Sequence, residues 1–218
     1  MSDVSDTAVP VSVPRGRHAP PLEVRVGVQR HRLFKAAAIV FARKGYAEAS
    51  AEAISREAGM SKATFYEHFA NKEECLLALF DEAATEVVRA MGQAIQEMPT
   101  TYEERVGGGL CAFLSTLAKY PNSAQTLLVS IMGAGPRALA RRDAIMDLFA
   151  DGLYRDNARV APQLGAPTFA SRDDAFACIG AITELVARQL RVGSSDDLVG
   201  LEPVLARVIL GTLAQSLR

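Results

Sequence analysis

From Gln29 to Leu79 the apolar positions repeat with helical period, and small residues break the repeat at regular places. Leu33, Ala37, Val40 and Phe41 fall on one stripe of a helix that Gly45 closes. Ile54 and Ala58, one turn apart, predict a short second helix ended by Gly59, a residue suited to a left-handed turn. Met60 then plugs the core, and Ser61 caps a third helix, Lys62 to about Phe69, which buries Phe65 and Phe69. Asn71 opens a fourth helix with Glu74 three residues on, the spacing of a reciprocal cap. Its apolar positions (Leu76, Leu79, Phe80, Ala83, Val87, Met91) carry it to about Met98, before Pro99.

Beyond Thr101 the same period continues, broken by proline and glycine. Helices are predicted over 102–120, 122–132, 136–160, 172–192 with Ser171 as cap, and about 198–217. No segment alternates over the length of a strand. The expectation is an all-α chain: an arm over 1–24, a helix-turn-helix domain over 25–75 and a helical bundle over 76–218. The fourth helix begins in one domain and ends in the next, a rigid lever between them.

Two short helices joined by a glycine turn and braced by a longer one have the make-up of a DNA reader. The run Gly45-Tyr46, Ile54, Ala58-Gly59-Met60-Ser61, Thr64-Phe65-Tyr66, His68-Phe69 and Asn71-Lys72-Glu73 resembles the DNA-binding domain of TetR-family transcriptional regulators. The resemblance covers about a quarter of the chain. It implies a homodimer on a double-stranded, palindromic operator, most often a repressor released by a small molecule bound in the bundle.

Carried onto matching positions, the resemblance places Ser50 at a phosphate and Lys62, Ala63 and Thr64 at base edges or neighbouring phosphates. It places Tyr66 and His68 at the backbone, and Lys72 at a phosphate from the start of the fourth helix. The chemistry agrees: hydroxyl and ammonium groups suit phosphate oxygens, and short side chains suit the thymine methyl. On a helical wheel Ala63 and Glu67 point most directly outward, with Thr64 and Tyr66 flanking them and Lys62 nearer the core side. No Arg or Asn occupies that outward face, so the operator sequence is not written there.

Pocket walls are expected from Met91, Leu110, Phe113, Leu114, Leu117, Leu128, Phe149, Leu153 and Phe176, a set equally suited to plain core. With only Thr116, Gln125 and Ser130 as polar company, the ligand would be apolar or amphipathic. The last two helices mix small and large residues, which suits close helix packing. TetR-family dimers pair these helices, so the resemblance assigns Ala177, Ala181, Leu185, Leu205, Val208, Ile209 and Thr212 to the interface; the alternative is intramolecular core.

Charge adds a little. The stretch 25–75 has nine Lys/Arg against six Glu, a net of +3, while 76–218 has a net of −3, a mild bias towards a polyanion at the front. Arg15, Arg17 and His18 of the arm could enter a minor groove, or the arm is an idle tail. Cys75, Cys111 and Cys178 are widely separated and odd in number, which points to reduced thiols in a cytoplasmic protein. No pair has metal-ligand spacing, no cofactor motif is present and no run is apolar enough to span a membrane. An enzyme, or a helical adaptor without DNA binding, is the competing class. G-x-S-x-G, P-loop and H-E-x-x-H patterns are all missing, and Gly107-Gly108-Gly109 follows no strand.

Overall fold

The computed structural model describes residues 22–95, 100–193 and 195–215. The described residues form nine α-helices and three 3-10 turns joined by short loops, with no strand among them. They are α1 (Leu22–Glu48), α2 (Ala51–Glu57), α3 (Lys62–His68), α4 (Lys72–Ala94), α5 (Tyr102–Lys119), α6 (Pro121–Leu128), α7 (Pro136–Val160), α8 (Arg172–Val192) and α9 (Glu202–Gln215). Helix α1 breaks its helical geometry at Gly45, whose φ of 74° is the left-handed closure that the glycine allows. The helix starts at Leu22, inside the stretch expected to be an arm; the candidate arm residues Arg15, Arg17 and His18 lie outside the described residues.

Two apolar cores result. The first joins Leu33, Phe34, Val40 and Phe41 of α1 to Ile54, Phe65, Phe69, Leu76 and Phe80. It also takes in Leu127, Ile131, Ala134 and Ala138, so α6 and the start of α7 pack under the head. The buried Thr126 hydroxyl donates to the Ala38 carbonyl oxygen at 3.1 Å, tying α6 to α1. The second core joins α5, α8 and α9 through Leu110, Leu114, Ile182, Val186, Leu205 and Leu213.

Three local expectations are corrected. Helix α4 ends at Ala94 rather than Met98, and 96–99 lie outside the described residues. The last helix starts at Glu202, because 195–201 form a 3-10 turn with Leu198 buried beneath it. The reciprocal cap at Asn71 is half made: the Asn71 side chain accepts from the Glu74 N–H, but the Glu74 carboxylate accepts from Arg137. Reciprocal caps form instead at Thr101 with Glu104 and at Ser171 with Asp174, the first of which the sequence pattern did not single out.

Candidate nucleic-acid interface and bundle cavity

The α2–α3 turn is held from several sides. Gly59 adopts φ 63°, and the Met60 N–H donates to the Ser55 carbonyl oxygen at 2.9 Å. Arg32 of α1 donates to the Ala58 carbonyl oxygen at 2.7 Å, closing the end of α2. Ser50 and Ser61 each accept the N–H three residues on, Ala53 and Thr64 respectively. Each cap satisfies a donor that a short helix would otherwise leave orphaned. Phe65 is fully buried and its ring lies 5.5 Å from that of Phe69, which fixes the roll of α3.

That roll exposes Lys62, Ala63, Tyr66 and Glu67, with Thr64 half-buried and Ser50 exposed beside them. Lys62 is outward rather than core-side, since a residue in the first turn overhangs the end of the packed stripe. Its ammonium lies 5.9 Å from the centre of the Tyr66 ring. The Thr64 hydroxyl is within hydrogen-bond reach of the Ser61 hydroxyl at 2.9 Å.

Two residues of the expected set turn inward. His68 is half-buried, with Nε2 3.4 Å from the Gln29 side-chain oxygen. Burial, then the nearby Arg30 charge, holds its pKa below the usual imidazole value despite Glu67. Lys72 donates from Nζ to the carbonyl oxygens of Tyr46, Ala47 and Ala49 at 2.8, 3.1 and 2.9 Å, and lies 4.5 Å from the centre of the Tyr46 ring. All three of its N–H groups therefore close the turn between α1 and α2. Lysine–carbonyl bonds across about 25 residues leave no periodic trace in the sequence.

The start of α4 is also clamped from the bundle. Arg137, in the first turn of α7, pairs with Glu73 and Glu74 at 2.7 Å each, and Arg141 pairs with Asp81 at 3.2 Å. Helix α4 thus carries the reading head at one end and packs on α5 and α7 along its length.

Between α4, α5 and α7, with α8 and α9 as floor, lies a cavity of about 420 Å³. Of the expected walls, Met91, Leu110, Phe113, Phe149 and Leu153 line it. Leu114 is fully buried in the second core, and Leu117 and Leu128 pack against that core. Phe176 lies beneath the Arg172 guanidinium, 6.0 Å from it. These four are absent from the cavity wall, and Leu117 instead borders a second, smaller cavity beside α1 and α6. Thr116, Gln125 and Ser130 are absent too.

The wall includes polar groups that sequence periodicity does not reveal: Tyr102, Arg105, Arg142, Asp156 and Thr183. Arg105 donates twice to Asp156, at 2.8 and 2.6 Å, and once to the Ile95 carbonyl oxygen at 3.1 Å. Burial pushes the Asp156 carboxyl up, but Arg105 and Arg159 outweigh it and hold it below the ordinary carboxylate range. Burial raises the Tyr102 phenol to about 12. Gly109 also faces the cavity, where a Cβ would meet Met91 and Ile95 at the ordinary contact distances of 3.8 and 3.9 Å, so the bare α5 backbone forms part of the wall there.

Of the expected pairing residues, Leu205 and Ile209 are buried in the chain's own second core, where α9 packs on α5. Ala177 is exposed, and Ala181, Leu185, Val208 and Thr212 are half-buried. The Thr212 hydroxyl donates to the Val208 carbonyl oxygen and meets Cys178 Sγ at 3.5 Å. Cys75 and Cys178 are buried free thiols and Cys111 is an exposed one. Among the described residues no cluster is suited to a metal, and no helix is long and apolar enough to cross a membrane.

Comparison with known proteins agrees with this geometry. Residues 33–79 match the model of the family described as bacterial regulatory proteins, tetR family. The HTH-type transcriptional regulator EthR of Mycolicibacterium smegmatis is 29% identical over 82 residues, 38% of each chain. The fatty acid metabolism regulator protein of Bacillus subtilis is 33% identical over 72 residues, 33% of this chain and 37% of that one. The match thus spans little more than a third of the length of either relative. The fold extends further: the structure of FadR from Bacillus subtilis in complex with stearoyl-CoA superposes with a TM-score of 0.72 at 22% identity, covering 84% of this chain and 98% of that one. The chain thus carries a tetR-type domain over 33–79 on an all-α body whose fold matches that of the solved regulator.

Proposed function

We propose that the protein is a homodimeric, sequence-specific DNA-binding regulator whose cavity takes a long-chain amphipathic effector. The observation that carries this reading is the shared helix: α4 is anchored to the α1–α2 turn of the head through Lys72 and forms one wall of the cavity through Val88, Met91 and Ile95. A ligand that fits only one tilt of α4 lowers DNA affinity by its differential affinity for the two tilts.

On DNA, α3 enters the major groove with Lys62, Ala63 and Thr64 towards the bases, and Ser50 and Tyr66 meet phosphates. Lys72 and His68 act from behind, setting the head rather than touching the duplex. The exposed parts of α8 and α9 around Ala177, Ala181, Leu185, Val208 and Thr212 pair with a second copy, giving two heads for a palindrome. The acyl chain in the stearoyl-CoA complex of FadR, a cavity volume within the range of ligand pockets and a mostly apolar wall support an acyl-bearing effector. Repression, by occupying a promoter until the effector arrives, is the proposed mode in the cytoplasm.

Footprinting on the DNA upstream of the protein's own gene, with and without hexadecanoyl-CoA, tests the reading. A saturable symmetric footprint that the thioester abolishes supports it. A chain that sediments as a monomer and protects no duplex at low salt overturns it, and a footprint that raises transcription overturns repression alone.

A further inference from the structure

The cavity has a direction. Helices α4 and α7 run alongside each other in parallel, since Arg137 pairs with Glu73 and Glu74 at their starts and Arg105 joins Ile95 to Asp156 near their ends. The lining residues extend from Phe80 to Ile95 on α4 and from Arg142 to Asp156 on α7. At 1.5 Å rise per residue each stretch is about 21–23 Å long. The space is therefore elongated along the two helices, with Arg142 at the end near the reading head and the Arg105–Asp156 pair at the far end.

The charges at the two ends differ in availability. At the far end the Arg105 guanidinium is met by a carboxylate and a backbone carbonyl, with its side chain 9% exposed, so that end is electrically closed. At the near end Arg142 has its neighbour in sequence, Asp143, as ion-pair partner at 3.2 Å, and that carboxylate is 67% exposed. The Arg142 side chain itself is only 26% exposed, and a carboxylate standing mostly in water holds it weakly because solvent screens the pair. Of the ionisable groups on the wall, Arg105 and Asp156 cancel and Arg142 leaves one positive charge beside an apolar space.

Resting on the effector reading above, we infer that Arg142 is the anchor for an anionic head group, so that the ligand lies with its head towards the DNA-binding domain and its alkyl tail towards Arg105 and Asp156. The chemistry required is one long alkyl chain ending in an anion, either the carboxylate of a free fatty acid or the phosphates of a coenzyme A thioester. A guanidinium offers paired N–H donors to either. The closed ion pair at the far end sets a stop for the tail, since displacing it would leave a buried charge unpartnered.

Isothermal titration of the full-length protein with hexadecanoate, hexadecanoyl-CoA and 1-hexadecanol, for wild type, Arg142→Gln and Arg142→Lys, tests the assignment. The expected result is a wild-type preference of about tenfold for an anionic lipid over the alcohol, matching one charge-assisted contact. Arg142→Gln collapses that ratio towards one and Arg142→Lys retains most of it. Preference for the acid alone identifies the carboxylate as the head, and preference for the thioester alone identifies the phosphates. An unchanged ratio in Arg142→Gln, or no preference in wild type, overturns the anchor while leaving the effector class standing. Binding of none of the three lipids overturns both.

Discussion

The reading head and the bundle are built from the same kinds of helix but solve opposite problems. In the head every turn is tied: Lys72 holds three carbonyl oxygens, Arg32 a fourth, and serines cap α2 and α3. Its aromatic residues Phe34, Phe65 and Phe69 interlock with ring centres 5.5–5.6 Å apart. In the bundle the large residues Phe113, Phe149 and Leu153 face an empty space between helices. A surface that reads a rigid duplex has to be pre-set, because ordering it on contact would cost affinity. A chamber for the flexible guest proposed above has to leave room. Rigidity and vacancy meet in α4.

The sharpest way to break this contrast is truncation of one aromatic residue in each region. Phe65→Ala should cost about 3–5 kcal/mol in urea unfolding, as for a fully enclosed phenylalanine. Phe149→Ala should cost about 1 kcal/mol, since a side chain already bordering a void gives up fewer contacts. Equal losses would mean that the cavity is filled or collapsed in solution. Next in size, Lys72→Met removes three bonds from a charged donor and should cost about 2 kcal/mol. It should weaken binding to all duplexes alike while leaving the slope of affinity against salt unchanged; a slope lowered by about one would instead mark a phosphate contact.

A smaller effect is expected from Tyr66→Phe, which loses a single hydroxyl on an exposed face. Gel retardation should show about a 3–10-fold loss of DNA affinity with unchanged melting temperature. Smallest is the acid response of the bundle. The Asp156 carboxyl is held below the ordinary carboxylate range in the folded chain. Its contribution is thus fully present above the unfolded value and fades as pH falls through the folded one. Wild type should lose stability more steeply than Asp156→Asn below about pH 4; parallel pH profiles would remove the pair's role.

Legibility in the sequence follows the same divide. The head was readable because its devices are local: Gly59 ends a helix, Ser61 caps the next three residues on, and Phe65 and Phe69 lie one turn apart. The tasks of Lys72 and Arg32 were not, since each joins residues about 25 positions apart without any repeat. In the bundle, periodicity indicates which residues avoid water but not which helix they meet. That is why Leu114 and Leu205 proved to be plain core while Tyr102, Arg105 and Asp156 were overlooked as wall. Short caps survive reading one letter at a time; a void is a property of several helices at once.

The missing side chain at Gly109 gives that void a simple means of adjustment. The α5 backbone itself forms part of the wall there, and a methyl added at this position would touch Met91 and Ile95 at ordinary contact distance while taking room from the effector proposed above. Alanine at this one site would act as a ruler, shortening the longest tail that the proposed effector could carry.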